Sequence, residues 1–321
     1  MKPSLFNYAT KELNQDAFFC WLFSWADEKH KNSDLYKVAK DFIHEIIAED
    51  ISIKKIDITQ QYKNIDFYIR INDILTICFE DKVNTTIHDD QLKRYNISIR
   101  EKHPNDKIFF VYLKTDFVFK SERDAVEKHG YNIFDIFRIR SILQNGINND
   151  IYTDFLFYID EKIKSYTDFE KIRFSKWERN EWLGFCYKLQ MDYFDDADIG
   201  IWQGRELYFV MYESEYLFEK KVYTSLEIKH SQGNNFGRLS ILLHIEDGRL
   251  NKYNIRDKIQ DQLEQNFAME NVNINNRVGN LVNFITFNDF PFVEKGYINY
   301  QKTKEYLINT YDVFTKINYM K

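Results

Sequence analysis

A chain of 321 residues, 44% hydrophobic and 29% charged with no low-complexity tract, can bury a sizeable core and has the length of two ordinary domains, which excludes intrinsic disorder. Its net charge of −6 excludes nucleic-acid coating by a global basic field, but leaves room for a local basic groove beside a metal site made of carboxylates. Cys20, Cys78 and Cys186 lie far apart in apolar runs, so neither a disulfide framework nor a CxxC zinc site is expected. Free buried thiols suit a reducing cytoplasm. No apolar signal core opens the chain and no stretch approaches the roughly 18 apolar residues of a membrane span, so a soluble, cytoplasmic protein without membrane contact is expected. Most of the 22 Tyr and 28 Phe are expected as core rings.

Residues 12–26 are apolar almost all round after a polar first turn, which predicts a buried helix. Residues 33–48 carry Leu35, Val38, Ala39, Phe42, Ile43, Ile46 and Ile47 at helical spacing. Strand signals follow at 51–59, 65–71 and 74–83. Thr86 is read as the cap of a helix running to about Arg100, 107–114 as a strand and 133–143 as a helix. The predicted order is α, α, β, β, β, α, β, α.

Side-chain parity sets a condition on the second and third strands. Odd positions of 65–71 are apolar and the even ones are Asp66, Tyr68 and Arg70. On the next strand the odd positions are again mostly apolar, and the even ones include Thr76, Glu80 and Lys82. A two-residue turn at Asn72-Asp73 would pair Ile71 with Ile74 and place Asp66 opposite Phe79, on the wrong face. A three-residue loop or a bulge restores Asp66 to the face of Glu80 and Lys82, and an irregular turn is therefore predicted.

No glycine precedes Gly130. After helices at 152–165 and 177–191 come strand runs at 206–212, 223–230 and 239–246, an antiparallel meander, then helices at 255–265 and 304–316. The expected division is a first domain over 1–165 and an α+β accessory domain over 166–321 serving recognition, oligomerisation or regulation, with a homo-oligomer left open.

Chemistry concentrates at Asp66, Glu80 and Lys82. Two carboxylates can hold a hard divalent cation through oxygen, and a lysine beside them can steady the attacking water or the developing phosphate charge. Asp81 points to the opposite face, so only its backbone carbonyl is expected near a metal. Gln91 and Tyr95, four apart, share one helix face. Alone, they read as a solvated residue and a core ring; beside Glu80-x-Lys82 the functional reading is preferred. His88 is read as a surface histidine and Lys93, Arg94 and Arg100 as a partly basic, solvated helix surface. A second Glu-x-Lys, Glu227-Ile228-Lys229, lacks a preceding acidic strand and a following Gln/Tyr helix, and is read as structural.

The order of elements and these residues resemble the PD-(D/E)xK nuclease superfamily, and Gln91 with Tyr95 looks like the QxxxY motif of its RecB-type branch. The resemblance covers about the first half of the chain. It implies an α/β mixed fold with a restriction-endonuclease-like core, a central mixed sheet flanked by helices, ahead of the α+β region with its meander. It further implies that Asp66 and Glu80 bind Mg²⁺, with Mn²⁺ able to substitute, that Lys82 positions or activates the nucleophilic water, and that Gln91 and Tyr95 orient substrate. DNA is the expected substrate, with RNA left open. Ile65 stands where the motif's proline would be, as in many members that lack it. Many members also place an acid on the first core helix near the metals. Glu12 fits that place, with Asp16 as a substitute, although an acid at a helix start also complements the helix dipole. The rival expectations are a catalytically inactive nuclease-fold module that binds nucleic acid or protein, and a structural protein whose sheet merely carries the motif.

Overall fold

A computed structural model of the chain describes residues 4–8, 12–83, 90–202, 206–217, 220–231, 238–244, 251–266, 272–274, 281–288 and 290–319. The chain divides into two compact units, Met1–Ile163 and Lys164–Lys321.

The first unit runs α1 (Glu12–Ser24), α2 (Asp34–Ile47), β1 (Ile56–Tyr62), β2 (Ile65–Ile71), β3 (Leu75–Lys82), α3 (Gln91–Lys102), β4 (Lys107–Lys114), α4 (Lys120–Lys128), β5 (Asn132–Phe134), α5 (Ile136–Ile142) and most of α6 (Asp150–Thr167), whose last four residues fall in the second unit. Its sheet has the order β1-β2-β3-β4-β5; β1, β2 and β3 pair antiparallel, and β4 and β5 join in parallel. The fold is thus a mixed sheet flanked by helices, as the sequence led us to expect.

Alternation divides the sheet's side chains between two cores. On one side Phe67 and Phe79 stack on each other at 4.4 Å, and Phe23 of α1 stacks on Phe79 at 5.1 Å and meets Phe42 of α2 edge-on. On the other, Tyr68, Cys78, Phe110 and Tyr112 pack with Leu92, Tyr95 and Ile99 of α3. α2 starts where the Ser33 hydroxyl accepts from the Leu35 amide and stops at Ala48, whose left-handed φ of 52° ends the helix.

The turn between β2 and β3 has the predicted irregularity. Ile71 faces Leu75, leaving the three-residue loop Asn72-Asp73-Ile74, and the register continues to Phe67 opposite Phe79. Asn72 and Asp73 are left-handed, with φ of 52° and 60°, a conformation that Asn and Asp tolerate better than most residues.

Three features differ from expectation. Residues 51–55 do not enter the sheet, because the amides of Lys54 and Lys55 donate to the Asn72 side chain instead of to a ladder partner. The apolar run at 133–143 is split at Asp135, whose carboxylate accepts from the Arg138 amide and caps α5, leaving Ile133 and Phe134 in β5. α4 went unpredicted because this short polar helix buries only Glu122 and Val126. The predicted cap Thr86 lies outside the described residues.

The second unit holds α7 (Arg179–Asp192), β6 (Asp198–Trp202), β7 (Glu206–Leu217), β8 (Lys220–Ser231), β9 (Arg238–His244), α8 (Lys252–Asn266), β10 (Val272–Ile274), β11 (Leu281–Phe287), β12 (Val293–Glu294), β13 (Tyr297–Ile298) and α9 (Tyr300–Tyr319). The predicted three-strand meander is the centre of a larger antiparallel sheet, β10-β11-β9-β8-β7-β6. Trp177, Trp182, Phe169 and Phe185 form an edge-to-face cluster within this unit. Among the described residues, no helix is long and apolar enough to cross a membrane.

Candidate active site

The three-residue loop brings Asp66, Glu80 and Lys82 to one face at the end of β3. Glu80 is fully buried and Lys82 nearly so. The Lys82 ammonium lies 2.5 Å from Glu80 Oε1 and 3.8 Å from Glu12 Oε2, so the first turn of α1 reaches the cluster through the lysine. Asp66 Oδ2 accepts the Asp81 amide at 2.8 Å, which fixes that carboxylate against the backbone of β3.

α3 approaches from the same side. The Gln91 amide donates to Glu80 Oε1 at 2.7 Å and to the Tyr95 hydroxyl oxygen at 2.9 Å. Four-residue spacing puts both side chains on one helix face, and the first turn of α3 lies over the carboxylate. Glu12, Asp66, Glu80, Lys82, Gln91 and Tyr95 therefore form one connected group.

Burial dominates the electrostatics. Lack of solvent, reinforced by repulsion from Asp66 and opposed by Lys82, raises the Glu80 carboxyl to about 8. Burial likewise lifts Asp66, against the bond from the Asp81 amide. For Lys82 burial pulls downward, but Glu80, Asp66 and Glu12 outweigh it and hold the ammonium above its ordinary value. Negative charge is in excess: the buried Glu80 and the half-buried Asp66 depend largely on one lysine.

The donor set fits a hard divalent cation. Both donors to Glu80 use Oε1, while the buried Oε2 has no hydrogen-bond partner among the described residues. Those residues hold no cluster of three or more carboxylate, imidazole or thiol groups suited to a metal. Two carboxylates suit a hard divalent cation that completes its shell with water and substrate phosphate.

Asp81 turns to the opposite face, as parity requires. Its carboxylate accepts from Gln15 of α1 and lies against Asp16, while the Thr115 hydroxyl donates to Gln15 Oε1. Gln15 also reaches the Lys82 carbonyl at 3.4 Å. Burial, then repulsion from Asp66, raises Asp16 to about 7, and burial with Asp16 beside it raises Asp81 well above the usual carboxylate range. Asp16 thus belongs to this clamp and does not take the place of Glu12 beside Lys82. Gln15 and Thr115 gave no sequence signal beyond their positions.

Of the basic residues on α3, Lys93 and Arg94 are exposed, while Arg100 lies 5.4 Å from the Phe110 ring. His88 lies outside the described residues. In the second Glu-x-Lys, Glu227 pairs with Lys229 at 2.8 Å, and its cross-strand neighbours are Val210 and Ser240, so no acid faces it across the sheet.

The family model of the PD-(D/E)XK nuclease superfamily matches residues 4–176, more than half of the chain. The chain belongs to that superfamily. Membership makes it a nuclease by family, with a nucleic-acid substrate and a divalent metal as the type of cofactor. No curated protein and no solved structure matches it.

Proposed function

We propose that the chain is a Mg²⁺-dependent deoxyribonuclease, with Mn²⁺ able to substitute, in which Asp66 and Glu80 hold the metal. The observation that carries this reading is the buried Oε2 of Glu80, which has no hydrogen-bond partner among the described residues, on the face that also presents Asp66 and Lys82. When bound, the cation supplies Lewis-acid stabilisation of the phosphate and acidifies water. Lys82 steadies the negative charge that grows on the phosphate, held in place by its contacts to Glu80 and Glu12. Gln91 orients Glu80 and, with Tyr95, faces the substrate. Glu12 fixes the outer side of the Lys82 ammonium.

On this reading residues 1–165 act as the nuclease domain and 166–321 as an accessory domain for recognition, oligomerisation or regulation. The buried free thiols of Cys20, Cys78 and Cys186 suit a cytoplasmic setting. The test is a cleavage panel with linear, circular and single-stranded DNA, and RNA alongside, in Mg²⁺ and in Mn²⁺. Wild type is expected to cut DNA, and Lys82→Ala and Glu80→Ala to lose cutting while remaining folded. No cutting by wild type in either metal would favour the inactive binding module.

A further inference from the structure

A second acid and lysine lie beside the site on the same face. In the parallel register of β3 and β4, Glu80 stands next to Tyr112 and Lys82 next to Lys114. Lys114 is 2% exposed, and its ammonium bonds both oxygens of Glu122 from α4 at 2.7 Å. The Tyr112 hydroxyl donates to Glu122 Oε1 at 2.5 Å. A single carboxylate on α4 thus holds both polar side chains that β4 sends toward Glu80.

We propose that Glu122 is a positioning residue which keeps Lys114 away from Glu80, so that Glu80 Oε2 stays open for a divalent cation. The inference rests on the metal role proposed above for Glu80. Lys114 is the diagonal neighbour of Glu80, and strand spacing with the rise per residue puts their Cα atoms about 8 Å apart, within the span of two long facing side chains. A buried ammonium requires an anion. Without the charge of Glu122, Glu80 Oε2 is a buried carboxylate oxygen on this face with no hydrogen-bond partner among the described residues. Lys114 then turns to it and stands where the cation belongs.

Stability alone is a poor account of the pair. Buried ion pairs contribute little net stability against apolar side chains of similar volume, and one helix carboxylate opposite one strand lysine is easily replaced by such a pair. What the apolar pair and the ion pair have in common is that neither offers Glu80 a competing cation.

The test is Mn²⁺ binding to the full chain without nucleic acid, by calorimetry and by the electron paramagnetic resonance of free Mn²⁺, at pH 8. Glu122→Gln keeps the shape and removes the charge, and is expected to weaken binding by about tenfold or more, the size of effect seen for residues that orient metal ligands. Adding Lys114→Met removes the competitor, and the double variant is expected to return to within about threefold of wild type. Full-strength binding by Glu122→Gln, or a double variant as weak as the single one, overturns the inference. If Glu122→Gln does not fold, the apolar pair Lys114→Met with Glu122→Leu decides: wild-type Mn²⁺ affinity supports the inference and lost affinity overturns it. Absence of Mn²⁺ binding by wild type, or binding that survives Glu80→Ala, removes the metal role of Glu80 and the inference with it. Wild-type binding with an unaffected Glu122→Gln removes the inference alone.

Discussion

Asp16→Asn should stabilise the first unit at pH 8 and leave it nearly unchanged at pH 5. Asp16 is 2% exposed and Asp81 fully buried; neither oxygen of Asp16, nor Oδ2 of Asp81, meets an N–H or hydroxyl donor among the described residues, so the two carboxyl groups share a proton with each other. Burial and the nearby Asp66 raise Asp16 from 3.8 to about 7. The folded chain therefore holds more protons than the unfolded one between these values, so stability falls as pH rises through that range, and the deficit is complete above about 7. At about 1.4 kcal/mol per pH unit the displacement corresponds to at most roughly 4 kcal/mol, and relaxation around the two acids brings the expected gain to roughly 2–4 kcal/mol. Asparagine matches the shape of Asp16, removes its charge and presents an amide to Asp81 Oδ2. For a unit of this size the gain corresponds to an increase in Tm of about 5–15 °C at pH 8. Calorimetry from pH 5 to 8.5, with hydrogen exchange on peptides from residues 12–83 to assign the transition, measures it. An increase of the same size at every pH, or a loss of stability at pH 8, would refute the account of this pair.

Three further outcomes follow from the same geometry. Gln91→Ala removes the donor to both Glu80 and Tyr95 and should lower DNA cleavage about 10–100-fold with little change in Tm; unchanged kcat and KM would remove Gln91 from the site. Because burial holds Glu80 near 8, its carboxyl must lose a proton to bind a cation. Mg²⁺ affinity should therefore rise about tenfold per pH unit up to about 8 and flatten above it, with close to one proton released per ion at pH 7 in calorimetry; pH-independent binding would contradict this. Asn72→Ala loses the bonds to the Lys54 and Lys55 amides and the Ser52 carbonyl and puts a β-carbon-only residue at a φ of 52°. The expected cost is roughly 2–4 kcal/mol in urea unfolding with cleavage per folded molecule unchanged, and a neutral variant would show that Asn72 does not hold residues 51–55.

The sequence made the site legible where chemistry coincides with a strict period. Alternation on β2 and β3 placed Asp66, Glu80 and Lys82 on one face and required the loop at Asn72, and helical spacing joined Gln91 to Tyr95. What escaped notice depends on long-range partners. The Lys54 and Lys55 amides look ready for a ladder until Asn72 takes them, and Asp135 divides an apolar run that reads as one helix. Gln15, Thr115, Lys114 and Glu122 are common residue types without a motif, and only folding brings them beside β3. Parity on β4 could have suggested Tyr112 and Lys114, since both fall on the face of Phe110.

Glu80, Asp81 and Lys82 are consecutive in sequence, but β geometry divides them between two helices. The first and third meet Gln91 of α3 and Glu12 of α1, while the middle one is clamped by Gln15 and Asp16 on the far side. The Asp81 backbone also reaches sideways in the sheet to Asp66. One residue without a proposed chemical role therefore ties together both strands and α1, so a change at Asp81 should disturb Asp66 and Lys82 without touching either side chain. The spacing Glu-x-Lys supplies two groups for one face, and the residue between them anchors the strand that carries both.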